Sequence, residues 1–288
     1  MIVVAGANGD LGFRIVSALQ SRKVEVRALT RRAHPGLPSA RLVRYDDKRA
    51  LVEACRGATC IVSAMLGLHD VMVDAQTQLL DAAVEAGVPR FIPSDFAADF
   101  TKLPWGRNRN FDLHREFEAI IDRAPIKPTS ILTGAFMDLL EGKAPIVIPA
   151  IRAVICWESA ENKLDFTTRD DAAAFTAEAA LDDTAPRFLR VSGDQLDSRE
   201  LAEAATVAWG KKFRVVRVGS ADTLGRIASF VRGVSGDEAS PFPAWQGMQY
   251  SRDMFEGAAV LQPLDNERYP LRYTKVREYL TAFQSSKA

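Results

Sequence analysis

The sequence predicts an α/β fold of the Rossmann type: a doubly wound parallel sheet with a smaller mixed α/β C-terminal part that faces substrate. Three observations carry this expectation. Apolar runs alternate with helical periodicity through the first half, a glycine-rich turn follows the first run, and the pattern changes after about Gly142. A βαβα order makes the strands parallel and puts helices on both faces of the sheet.

The elements follow in order. Residues 2–5 are uniformly apolar, as a buried parallel strand requires. Residues 11–19 put Leu11, Ile15, Ala18 and Leu19 on one helical face. Residues 24–29 read as a second strand and 41–45 as a weaker third, before a short helix at 51–55. A fourth strand at 60–64 precedes a long helix, 71–86, closed by Gly87. A fifth strand at 90–93, a helix at 111–121 and a sixth strand at 129–132 complete the first half. Beyond Gly142, residues 144–150 are apolar and punctuated by proline. A strand at 163–167 leads to Thr168, which can cap a helix through Ala180, and 187–191 reads as another strand. Asp197 and Glu200 have the spacing of a capping box for a helix through Trp209. After a strand at 212–218, Ser220 can cap a helix toward Val234. Residues 233–243 are rich in turn formers, 244–256 read as a helix, and Thr274 opens the last one.

Composition narrows the functional classes. The 288 residues are 47% apolar and 26% charged, which suits a globular chain with a large core. Lys+Arg and Asp+Glu are equal at 37, so a duplex nucleic acid would meet no basic footprint. Three cysteines, Cys55, Cys60 and Cys156, lack metal-site spacing, and an odd count argues against a disulfide framework. Only three histidines occur, far apart, so no metal centre is expected. With no apolar run of membrane-spanning length and no leader-like start, the expectation is a cytoplasmic protein with no membrane partner.

The turn Gly6-Ala7-Asn8-Gly9-Asp10-Leu11-Gly12 lies between a strand and a helix. Glycines three apart permit a tight turn and a close backbone approach to a pyrophosphate, and the helix N-terminus offers free N–H groups. Gly6, Asn8, Gly9, Asp10, Leu11 and Gly12 are therefore the expected diphosphate contacts. The end of the second strand reads Thr30-Arg31-Arg32, with Arg31 nineteen residues after Gly12. An acidic residue there would hold a ribose diol and repel a 2′-phosphate, whereas a guanidinium binds the phosphate. The expected cofactor is NADP(H), held at that end by Thr30, Arg31 and Arg32. Residues 1–150 are the expected cofactor domain, with 165–195 returning to it, and 151–288 the smaller substrate-binding part.

From here the chain resembles the NmrA-like and isoflavone-reductase-like group of atypical short-chain dehydrogenases. The resemblance rests on the glycine turn, Leu29-Thr30-Arg31-Arg32, and Val88-Pro89-Arg90-Phe91-Ile92-Pro93-Ser94-Asp95-Phe96. It continues through residues 111–119, Ile126-Lys127-Pro128-Thr129-Ser130-Ile131-Leu132 and Phe166-Thr167-Thr168-Arg169-Asp170-Asp171-Ala172, and is general beyond Gly193. It implies that Ser63, Ala64 and Met65 lie against the cofactor, and that Pro93, Ser94, Phe96, Thr133, Gly134 and Phe136 line the nicotinamide end. Phe96 and Phe136 suit core packing equally well.

The chemistry departs from the commoner pattern. No tyrosine has a lysine four residues on, which disfavours Tyr-x-x-x-Lys catalysis. Reductases of the isoflavone type carry a lysine early in the helix after the fifth strand, and alignment of Phe111-Asp112-Leu113-His114 puts His114 there. An imidazole exchanges a proton near neutral pH, so His114 is the candidate acid–base residue, or else an ordinary helix histidine. Asp95 reads as pocket lining or a helix cap. Trp245, Met248, Tyr250 and Met254 could floor an aromatic pocket or fill the core. Two functions stay open: an NADPH-dependent reductase of a small aromatic or conjugated substrate such as a quinone or enone, or a redox sensor that binds NADP(H) without turnover and signals to a protein partner.

Overall fold

The computed structural model describes residues 1–287. Its centre is a parallel sheet in the order β3-β2-β1-β4-β5-β6, built from β1 (Ile2–Ala5), β2 (Val26–Thr30), β3 (Arg41–Leu42), β4 (Cys60–Ser63), β5 (Arg90–Ile92) and β6 (Lys127–Pro128). That order is the doubly wound one, with its reversal between β1 and β4. Four helices belong to these crossovers: α1 (Asp10–Ser21), α2 (Lys48–Cys55), α3 (Gln76–Glu85) and α4 (Arg109–Ile121). The side-chain alternation of β1 divides the core. Ile2 and Val4 pack with Ile15, Val16 and Leu19 of α1 on one face. Val3 and Ala5 pack with Leu51, Leu79 and Phe117 of α2, α3 and α4 on the other. Each large apolar side chain so enclosed contributes about 1.5–3 kcal/mol.

The sixth strand departs from the expected 129–132. Pro128 has no N–H to donate, and the pairing changes sides there. Lys127 and Thr129 donate to Pro89 and Phe91 of the β5 neighbourhood, whereas β7 (Ser130–Leu132) pairs in parallel with β12 (Phe188–Arg190). The expected helix 71–86 is also divided. Residues Asp70–Ala75 form a wider π turn before α3 begins.

The remaining elements are β8 (Ala135–Phe136), β9 (Val147–Ile148), β10 (Ala153–Trp157), β11 (Leu164–Thr167), α5 (Arg169–Leu181), β13 (Asp194–Leu196), α6 (Ser198–Trp209), β14 (Arg214–Gly219), α7 (Ala221–Ser235), α8 (Ala244–Phe255) and α9 (Val276–Ser285). They make two small sheets, β14-β10-β9 and β13-β11-β8. Thr168 caps α5 by accepting from Asp171 N, and Asp197 with Glu200 forms the capping box of α6. Although late in sequence, α5 packs on α1 through Ala173, Ala177 and Ala180. Among the described residues no helix is long and apolar enough to cross a membrane.

Candidate functional site

The turn after β1 lies at the sheet's reversal point. A Cβ on Gly6 would stand 2.6 Å from the Ala64 carbonyl oxygen after β4, and one on Gly12 would stand 2.3 Å from Gly6 O. Those two glycines are required by the protein's own packing. Gly9 differs: it is exposed, and its Cβ would meet only Gly6 O, closely but without overlap at 3.3 Å. Gly9 is also the N-cap of α1, and no side chain caps that helix. Its first-turn N–H groups are thus presented to a ligand. Two buried hydroxyls at the adjoining strand ends, Thr30 Oγ1 and Ser63 Oγ, have no hydrogen-bond partner. Arg31 and Arg32 are exposed, with no ion-pair partner among the described residues. Bare backbone, an uncapped N-terminus, orphaned hydroxyls and unpaired guanidiniums fit a phosphorylated dinucleotide.

Other expected contacts are engaged within the protein. The Asp10 carboxylate accepts from Arg14 at 2.8 Å and lies 3.3 Å from Arg169 Nε, which leaves its backbone N–H as its means of contact. Asn8 is exposed and Leu11 half-buried against the core. Ser94 Oγ donates to Met65 O at 2.7 Å, and Ser94 N donates to the buried Gln76 side chain at 2.9 Å. Pro93 and Met65 are buried beside them. Thr133 N and Gly134 N both donate to Ala97 O, tying the turn after β7 to the turn after β5. Phe96 packs partly buried against the core, and Phe136 lies under the Arg169 guanidinium, 4.6 Å from ring centroid to carbon. Sequence reading passed over Tyr45. Burial pushes its hydroxyl up to about 12, and it meets the backbone of Gly6 beside Arg31.

His114 sits on the inner face of α4, with Phe111 and Phe117 on the same buried stripe. It is 9% exposed, and its ring stacks on Phe100, with centroids 5.2 Å apart and planes 18° from parallel. Nδ1 lies 2.9 Å from Asp95 Oδ1. Asp95 is 1% exposed and caps no helix; it serves the imidazole instead. Its other oxygen accepts from Ser130 Oγ at 2.6 Å, and Ser130 accepts from Arg187 Nη1 at 2.7 Å. His114 Nε2 takes no protein partner among the described residues, yet it is not sealed in. A carboxylate behind an imidazole whose far nitrogen is open is a proton-exchanging arrangement.

The small C-terminal part grips the start of this helix. Asn108, the N-cap of α4, donates to Asp253 at 2.9 Å and accepts from Gln246 at 2.8 Å, both on α8. Arg107 and Arg252 also donate to Asp253. Trp245 is wholly buried beside the Arg109 and Arg232 guanidiniums, Tyr250 packs edge-on against Phe111, and Met254 joins the core under α6. Three of the four residues weighed as pocket floor are therefore packing residues; Met248 has no contact of note.

Fold and site together define a dinucleotide-binding α/β protein of the Rossmann type, with a carboxylate-backed histidine on the helix after β5. The chain belongs to the NmrA-like family, whose model matches residues 1–280. It is 29% identical over 322 residues to pinoresinol reductase 1 of Arabidopsis thaliana, covering 98% of this chain and 96% of that one. It is 27% identical over 250 residues to bifunctional pinoresinol-lariciresinol reductase 1 of Linum usitatissimum, covering 77% and 79%. Among solved structures, AtPrR2 with NADP+ and (+)pinoresinol superposes with TM-score 0.80 at 24% identity, over 98% of both chains. The NADPH-dependent quinone oxidoreductase QOR2 of Escherichia coli, complexed with NADPH, superposes with TM-score 0.77 at 18% identity, over 98% of this chain and 99% of that one.

Proposed function

We propose that this protein is an NADPH-dependent reductase of a small aromatic or conjugated substrate, a quinone, an enone or a similar compound. The observation that carries the reading is His114, backed by buried Asp95 and open at Nε2. A sensor needs no such arrangement. The relatives named as reductases of pinoresinol and the quinone oxidoreductase of the same fold support the reaction class. In this reading residues 1–150 and 165–195 hold the cofactor, and 151–288 close over the substrate. Gly9 and the first turn of α1 take the diphosphate, Arg31 and Arg32 take the 2′-phosphate, and Thr30 and Ser63 take ribose or amide groups. Bound NADPH supplies the hydride. The protein's part is to orient both reactants, to exclude water and to deliver one proton from His114 Nε2 to the reduced substrate. The neutral ring then takes up a fresh proton from solution, so each turnover consumes one proton.

The test is NADPH oxidation against a panel of quinones, enones and aromatic dyes, alongside binding measurements for NADPH and NADP+. Turnover is expected, and His114→Ala should lower kcat about 10²–10⁴-fold with little change in NADPH affinity. Tight, redox-selective binding with no turnover would replace this reading with the sensor.

A further inference from the structure

We infer that the chain of hydrogen bonds Arg187–Ser130–Asp95 locks His114 as its Nδ1–H tautomer, so that Nε2 is a base in the neutral ring and a donor only in the imidazolium. The tautomer follows from the structure alone; its catalytic meaning rests on the reductase reading.

The direction of each bond is fixed by a donor-only group at one end and an acceptor-only group in the middle. A guanidinium has donors and no acceptor. Arg187 Nη1 donates to Ser130 Oγ at 2.7 Å, so the Ser130 hydroxyl accepts there, and because a carboxylate only accepts, the hydroxyl's own hydrogen goes to Asp95 Oδ2 at 2.6 Å. The Asp95 carboxylate then accepts at Oδ2, and its Oδ1 likewise offers only acceptor lone pairs. The hydrogen in the 2.9 Å contact with His114 therefore belongs to Nδ1. Ser130 is 0% and Asp95 1% exposed, so water does not compete for these lone pairs.

Arg187 is itself held. It donates to Asp122 at 2.8 Å, lies 3.5 Å from Glu118, and stacks over Phe188 at 4.3 Å. Its charge stands one hydroxyl from the Asp95 carboxylate. Arg115, the neighbour of His114, is turned away to Phe100 O and the Trp105 ring. Ser130 and Arg187 are thus positioning residues. They touch no reactant, and they act by fixing what Asp95 can accept.

The tautomer is read by nitrogen-15 NMR of the intact protein with labelled histidine, at a pH where the ring is neutral. His34 and His69 variants assign the signals. The wild-type ring should be Nδ1–H; an Nε2–H ring would overturn the inference. In Asp95→Asn the Ser130 hydrogen still demands the amide oxygen, which turns the NH₂ toward Nδ1 and drives the ring to Nε2–H. Adding Ser130→Ala frees the amide to rotate, and a measurable Nδ1–H fraction should reappear. An Asp95→Asn ring that stays Nδ1–H, or a double variant identical to the single one, would remove Ser130 from the relay. If the variants do not fold, the wild-type spectrum alone decides the tautomer. Asp95→Asn should also lower kcat about 10²–10⁴-fold at unchanged KM. Lack of NADPH oxidation by a wild-type Nδ1–H ring would sink the reductase reading and leave the relay standing; turnover by an Nε2–H ring would do the reverse.

Discussion

In the proposed reading Arg31 chooses between two dinucleotides that differ by one phosphate. It is exposed at the end of β2 and near enough to Tyr45 to act on that hydroxyl. A charged hydrogen bond to a 2′-phosphate contributes about 1.5–3 kcal/mol. Arg31→Ala should therefore weaken NADPH binding about ten- to a hundredfold and leave NADH binding nearly unchanged, as titration calorimetry would read. Equal losses for both would place the phosphate elsewhere, and the double change with Arg32 measures how far the two share it. His114 was singled out by resemblance, at the place where isoflavone-type reductases carry a lysine. Its partners were not: Asp95 is 19 positions away, Ser130 lies 35 beyond Asp95, and Arg187 a further 57. Three strand ends bring them together, and no local pattern encodes that convergence.

In the turn between β1 and α1, Gly6 and Gly12 serve the fold, and in the proposed reading Gly9 serves the ligand. A Cβ at Gly9 would press on the Gly6 carbonyl oxygen at 3.3 Å, a far milder contact than at Gly6 or Gly12, so Gly9→Val should abolish dinucleotide binding while the circular dichroism is kept and the thermal midpoint falls only slightly. Gly12→Val drives atoms into the Gly6 carbonyl and should lose stability as well. Normal NADPH binding by Gly9→Val would show that the diphosphate lies elsewhere. Helices with caps and periodic faces, such as α5 and α6, could be read directly from composition and spacing. The strand β10 could not. Its ends are set by Arg152 and Glu158 in left-handed backbone, φ 50° and 60°, where sequence reading looks for glycine or asparagine. Strands of two or three residues, such as β8 and β13, are formed by tertiary pairing and carry too few positions to show alternation.

Across the whole molecule, the C-terminal segment is laced back onto the end of α5. Asp182 accepts from Thr184 at 2.6 Å, from Tyr269 at 2.9 Å and from Arg268 at 2.7 Å. Burial pushes this carboxyl up, but the hydrogen bonds from Thr184, Arg268 and Tyr269 outweigh it and hold the group well below the usual carboxylate range. A depressed folded value gives stability that is present above the unfolded value of about 3.9 and lost as pH falls below it. Asp182→Asn should cost about 1 kcal/mol at pH 7 once solvent screening is allowed for, or about 2 °C in thermal midpoint. The gap from wild type should close as scans are repeated toward pH 3; a constant gap would mean that the charge contributes nothing.

The grip of α8 on Asn108 sets what can be exchanged between members of such a fold. A graft that replaced residues 221–256 with those of another protein would take away Gln246 and Asp253, and with them two of the bonds that seat the first turn of α4. The helix that carries His114 would then start loose, and the new substrate surface would arrive with a misaimed imidazole. Recombination within this architecture should succeed when loop 105–110 travels with α8. In the proposed reading, substrate preference and proton delivery are then inherited as one unit.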